Sequence, residues 1–275
     1  YILNISVFVS PCLAIKGNQQ YKIMKGVIDV MKLQIQREKN KIKDPPTDYK
    51  THDNSFFGVR FIFECGIKLN CHPLTISTAA ILFHKFFREA DANNYERYLI
   101  AATSLYLAGK VKDEPLKVRD VINVSRNTLH RGSQPLDLGE EYWNMRDAIV
   151  QGELLMMRML KFEVTTVHPH KYLLHYLKSL QGWILPDDWK KCPIQQAAYG
   201  FLQDFHHDSS ILDYKPQHIA IACIKLTLEV YGVLVPYTEE DDSNSWYNVF
   251  SEDLNRDKLW DIMDKIMDVY TKDTE

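Results

Sequence analysis

Histidine, cysteine and carboxylate side chains are the first to test for chemistry in this 275-residue chain. The densest histidine cluster is His168-Pro169-His170, with His175 close behind. A metal needs several ligands converging at a fixed geometry. Pro169 instead reads as the first residue of a helix, and the two flanking histidines are expected to cap it and face solvent. His206 and His207 are adjacent, so a helix points them in different directions. The five cysteines, Cys12, Cys65, Cys71, Cys192 and Cys223, form no C-x-x-C pair. That pattern predicts reduced thiols rather than a zinc site or a disulfide framework. The run Glu239-Glu240-Asp241-Asp242 reads as a solvated loop, and Met156, Met157 and Met159 read as core. The phosphate-loop, dinucleotide, zinc-protease and nucleophile-elbow motifs are all missing from the sequence. No catalytic residue, no cofactor and no metal is therefore predicted.

Two charged residues stand out because their surroundings are apolar. Lys110 ends the run YLIAATSLYLAGK, and Glu153 sits inside IVQGELLMMRML. At helical spacing the neighbours of Glu153 are Ile149, Val150, Met156 and Met157. Each charge is able to snorkel to the rim of a core, with no further role. A buried carboxylate without a partner is costly, however, so Glu153 needs a donor.

The elements that must position this pair read as helices. From Phe56 onward the spacing predicts helices near 56–69, 74–90, 95–111, 116–124 and 140–161. A second set follows near 168–183, 192–207, 215–232, 245–250 and 255–272. Pro73, Pro115, Pro169, Pro193 and Pro216 sit near helix starts, where a missing N–H costs nothing. The two sets resemble each other: IAATSLYL (100–107) aligns with IAIACIKL (219–226). A repeat of this length points to a duplicated domain. The fold class is all-α. The predicted divisions are an N-terminal extension over 1–55, a first five-helix fold over 56–165 and a second over 166–275. Within the extension, Ile23, Val27, Val30 and Met31 suggest a short amphipathic helix. REKNKIK (37–43) reads first as a solvated face, Pro45-Pro46 as a linker, and residues 1–50 as dispensable for the fold.

Composition narrows the function classes. A net charge of −3 and a pI near 6.4 argue against a general nucleic-acid binder. No run approaches 18 apolar residues, so no membrane span is expected. The first fifteen residues are apolar but lack a basic leader and are broken by Asn4, Ser6 and Pro11, so no secretory signal is expected.

YLAGKVKDEP (106–115), followed by ELLMMRMLKFEV (153–164), resembles the cyclin box, including its Lys–Glu pair at Lys110 and Glu153. Phe83-His84-Lys85-Phe86-Phe87 is similar to the transcription-type branch, which carries His where the cell-cycle branch carries Asp. INVSRNTLHRGSQPLDL (122–138), Tyr142-Trp143-Asn144-Met145-Arg146-Asp147 and HPHKYLLHYL (168–177) are most similar to the branch that partners cyclin-dependent kinase 10. So are 217–236 and 270–275. The resemblance covers about 56–275 and implies two tandem five-helix cyclin-box folds. It also implies a heterodimer with a cyclin-dependent kinase, in the nucleus and/or cytoplasm, with no direct nucleic acid and no membrane. Lys110 and Glu153 would be the kinase-binding residues. One departure bears on substrate docking. The cyclin cleft Met-Arg-Ala-Ile-Leu, with a Trp shortly after, reads Val59-Arg60-Phe61-Ile62-Phe63 here, and Gly66 takes the Trp position. Docking of basic-x-Leu substrates is therefore not expected. The rival reading is a cyclin-fold transcription factor or adaptor acting without a kinase.

Overall fold

The computed structural model describes residues 47–51, 54–235 and 245–272. The amphipathic reading at 23–31, the basic run 37–43, Pro45-Pro46 and the acidic run 239–242 lie outside the described residues. All regular structure among the described residues is helical. The chain divides into two compact units, one built from Pro46–Val167 and His206–Leu212, the other containing His168–Phe205 and the chain from Asp213 onward.

The first unit contains α1 (Ser55–Lys68), α2 (Pro73–Glu89), α3 (Arg97–Val111), α4 (Val118–Leu129) and α5 (Glu140–Met159). Local chemistry sets their ends. Asn54 accepts from the Phe57 N–H at 3.0 Å and starts α1. His72 Nδ1 accepts from Leu74 N–H ahead of Pro73 at the first turn of α2. Glu96 accepts from the Tyr98 and Leu99 amides, so α3 begins at Arg97 rather than at 95. Lys161 and Phe162 take left-handed φ values of 50° and 63°, which stops α5 at Met159. Helix α4 runs five residues beyond the predicted 124 because Ser125 and Thr128 take its buried positions.

The core of this unit is built on α3, whose Ile100, Ala101, Leu105 and Ala108 are buried among Val59, Phe61, Ile62, Leu82, Phe83 and Met156. Met157 and Met159 pack against the same cluster. Its small residues let α1, α2 and α5 approach closely. Packing begins upstream of Phe56. Tyr49 is 1% exposed in this core, its hydroxyl donating to Glu64 at 2.7 Å. His84 is fully enclosed on α2, its Nε2 3.0 Å from the carbonyl oxygen of His206. Its Nε2–H donates that bond, and burial pulls its pKa down to about 4, so the ring is neutral.

The second unit contains α6 (Pro169–Leu180), α7 (Pro186–Lys191), α8 (Ile194–Phe205), α9 (Pro216–Tyr231), a 3-10 turn (Trp246–Val249) and α10 (Arg256–Lys272). Helix α9 takes the central place, buried along Ile219–Ile224 against α6, α8 and α10. Asp204, buried on α8, accepts from the Tyr270 hydroxyl of α10 at 2.6 Å. The expected helix at 245–250 is the 3-10 turn, and α7 was not anticipated. Six residues are too few for an apolar period to show, although Pro186 and the Asp187-Asp188 pair are an ordinary helix start. His168 and His170 do not face solvent. Both are buried, and His170 packs edge-on to Tyr199 and lies 3.4 Å from Gln203. His168 makes no side-chain cap to α6. His175 is exposed.

Candidate partner-binding site

Lys110 and Glu153 lie 43 residues apart in sequence and meet in space. Lys110 Nζ donates to both Glu153 carboxylate oxygens at 2.8 Å. Helices α3 and α5 bring them together because α5 carries a glycine where the two cross. A Cβ on Gly152 would stand 3.0 Å from Thr103 Oγ1, a tight approach, so a larger residue requires the Thr103 side chain or the crossing to give by a few tenths of an ångström. Thr103 and Ser104 return their hydroxyls to the carbonyls of Leu99 and Ile100, at 2.8 and 2.7 Å, and leave no unmet polar group in the contact.

The two side chains differ in exposure. That of Lys110 is 45% exposed and that of Glu153 only 12%. The donor that Glu153 requires is thus Lys110 itself, and the ammonium keeps one hydrogen for solvent. The Tyr106 ring centroid lies 4.3 Å from Lys110 Nζ. Partial burial works against the charged ammonium, but the hydrogen bonds to Glu153, with the Tyr106 side chain beside the ammonium, outweigh it and hold the Lys110 pKa above its usual value. Ile149 and Met156 on either side of Glu153 are buried, whereas Val150 and Leu154 are exposed. Phe162, just past the end of α5, is 66% exposed. The result is a fixed charge pair on the rim of an apolar, solvent-facing stretch of α5. A partner's main chain fits such a site, with donors for carbonyls and an acceptor for amides.

Sequence reasoning found the pair and missed Tyr106. The signal was present, since Tyr106 lies four residues before Lys110 on the same helix face. The departure in α1 has a steric basis. Phe61 is 1% exposed within the core, and a Cβ on Gly66 would approach Ile76 Cγ1 to 2.6 Å. A Trp at that position has no room. The described cysteines offer no nucleophile at neutral pH: burial pushes Cys65 up to about 12 and Cys71 to about 11, and raises Cys192 and Cys223 as well. No described helix is long and apolar enough to cross a membrane.

Comparison with known proteins decides the family. The model of the cyclin N-terminal domain matches residues 29–165, about half of the chain. The chain belongs to the cyclin family. The match starts well upstream of Phe56, so the family likeness is longer than the motifs alone indicated. Cyclin-K of Danio rerio is 29% identical over 230 residues, covering 83% of this chain and 52% of the relative. Cyclin pch1 of Schizosaccharomyces pombe is 31% identical over 174 residues, covering 62% of this chain and 49% of the relative. The cyclin chain thus spans about half the length of these two relatives. A chain in the crystal structure of the yeast RNA Pol II CTD kinase CTDK-1 complex superposes with a TM-score of 0.63 at 16% identity, over 90% of this chain and 71% of that one. That likeness concerns the fold, an all-α pair of tandem cyclin boxes.

Proposed function

We propose that this cyclin is a non-catalytic regulatory subunit that binds and activates a cyclin-dependent kinase. The observation that carries the reading is the Lys110–Glu153 pair, a half-exposed lysine held by a largely buried glutamate, on α3 and α5 of a unit matched by the cyclin N-terminal domain. In this reading Lys110 donates to a kinase carbonyl and Glu153 accepts from kinase backbone N–H groups. Val150, Leu154 and Phe162 supply apolar area beside them. A kinase is active only when its αC glutamate pairs with its strand lysine. A rigid face that fits αC in the inward position alone shifts the population toward the active state. The finer reading is a cyclin-Q type of subunit with cyclin-dependent kinase 10 as partner, in the nucleus and/or cytoplasm. The segments 122–138, 142–147 and 168–177 support it.

The test is calorimetric titration of purified kinases, kinase 10 among them, with the wild-type cyclin and its variants. Lys110→Ala is expected to weaken binding by about 1–3 kcal/mol, or about five- to 150-fold. The lysine variant also strands a carboxylate that is only 12% exposed, so some loss of thermal stability accompanies it. The double variant Lys110→Ala/Glu153→Ala removes that stranded charge and recovers stability without recovering affinity. Full affinity in the double variant, or no binding and no stimulation of any kinase by the wild type, sinks the reading. A salt-sensitive DNA complex in place of kinase binding would favour the transcription-factor alternative.

A further inference from the structure

Lys110 is a long side chain with four rotatable bonds, and it ends half in solvent. Held only by a carboxylate on another helix, such a head group exchanges readily with water. Here it is held from a second side. Tyr106 lies one turn earlier on α3, and its ring centroid is 4.3 Å from Nζ. The ring itself is anchored, because it packs against the buried cluster of Ala102, Val121 and Ile122 where α3 meets α4. Glu153 meets the ammonium from α5, with both oxygens at 2.8 Å. An aromatic face and a bidentate carboxylate thus confine one cation between α3 and α5.

We infer that Tyr106 is a positioning residue of the partner-binding site, fixing the Lys110 ammonium by a cation–π contact so that its one remaining hydrogen is already aimed when a partner carbonyl arrives. The inference rests on the function proposed above, and adds to it a residue that touches no partner. The physical gain is pre-organisation: the rotamer freedom of Lys110 is given up on folding rather than on binding. The ring carries this role and the hydroxyl is secondary, since the attraction comes from the face of the π-system.

Three variants test it: Tyr106→Phe keeps the ring, while Tyr106→Leu and Tyr106→Gln remove it. Two readouts are taken. The first is NMR titration of the Lys110 Cε and Nζ resonances in the free cyclin, which needs no kinase. Loss of the ring is expected to move the Lys110 resonances, with Tyr106→Phe close to wild type. The second is kinase affinity, expected to fall about two- to fivefold without the ring and to be restored by phenylalanine. Thermal unfolding of each variant identifies any that fail to fold, and two ring-less variants guard against loss of one. Unchanged Lys110 resonances without the ring overturn the inference, whatever the kinase does. So does an affinity loss in Tyr106→Phe equal to that in Tyr106→Leu. If the wild type binds no kinase while the resonances move as expected, the function proposed above fails and the confinement of Lys110 by Tyr106 stands.

Discussion

The two units are built on similar central helices and use them differently. Helices α3 and α9 are both rich in alanine and both are the most enclosed helix of their unit. Each carries a lysine and a glutamate partner. In the first unit the pair joins two helices, with a 45% exposed lysine and a 12% exposed glutamate. In the second, Lys225 reaches Glu229 at 3.1 Å within α9 itself, at 32% and 19%. Glu229 Oε2 is buried with no hydrogen-bond partner among the described residues. A repeated scaffold has therefore not repeated the site. The first pair depends on α5 crossing close at Gly152, whereas the second follows from four-residue spacing on one helix.

Carboxylate hubs show the same divergence. Glu64 in α1 accepts from Tyr49, from Lys68 at 2.8 Å and from Arg131 at 2.5 and 3.1 Å. It ties residues upstream of α1 to the turn after α4. Asp253 in the second unit accepts from Lys215, from Ser251 at 2.6 Å and from His218 at 3.2 Å. The donor groups are similar, but Glu64 is 25% exposed and Asp253 is 52% exposed. Burial should decide what each network contributes.

The largest effect is expected where a hub reaches the core. Tyr49→Ala removes an aromatic ring that is 1% exposed and packs edge-on to Phe61 and Tyr98. The loss should be about 3–5 kcal/mol of unfolding free energy in urea titration, as for other buried aromatics. Tyr172→Ala, at a half-buried ring of the second unit, should cost distinctly less. Equal losses would break the comparison. A cyclin truncated before Phe56 should lose stability for the same reason as Tyr49→Ala, against the expectation that residues 1–50 are dispensable.

The second effect is read by pH. Partial burial opposes the charge on Glu64, but hydrogen bonds from Arg131, Lys68 and Tyr49 overcome it and lower its pKa from 4.5 to about 2. A depressed carboxylate pKa stabilises the fold above the ordinary value, and that stability is lost as pH falls from about 4.5 toward 2. The contribution is on the order of 3 kcal/mol at most, and less after screening by solvent at this partly exposed group. Chemical denaturation between pH 7 and pH 2.5 should show this loss in the wild type, and Glu64→Gln should flatten it. An unchanged acid limb in Glu64→Gln would remove Glu64 from the account.

How much of this was legible in the sequence follows from range. Helices α2, α3, α5 and α10 were placed within about two residues of their observed ends, because apolar runs and end signals are local. Lys110 and Glu153 were legible because each charge sat in an apolar run that could not hold it alone. Their meeting was not, since it depends on a glycine crossing with no local signature. Tyr49 was hidden by the Pro45-Pro46 signal just before it, which marks a turn and says nothing about what the next aromatic packs against. His168 and His170 misled for a related reason. Flanking a helix-opening proline suggests caps, but their burial is set by residues distant in sequence.

The smallest expected effect is at Asp253. Its pKa is lowered by Lys215, Ser251 and His218 in that order, a shift as strong in direction as that of Glu64. Yet its surroundings predict little stability from it. Lys215 is 61% exposed and turns to water when the carboxylate charge is removed. His218, the one buried donor, keeps Ser251 Oγ at 3.1 Å as an alternative partner. No donor is stranded by Asp253→Asn, in contrast to Glu64→Gln, where Arg131 and Lys68 lose the charge they share. Asp253→Asn should therefore leave the thermal midpoint at pH 7 unchanged within error, and 1 M salt should have as little effect on the variant as on the wild type. A drop in midpoint matching that of Glu64→Gln would show that the 246–256 connection depends on its hub as α1 depends on Glu64. The divergence between the units would then lie only in the lysine–glutamate pairs.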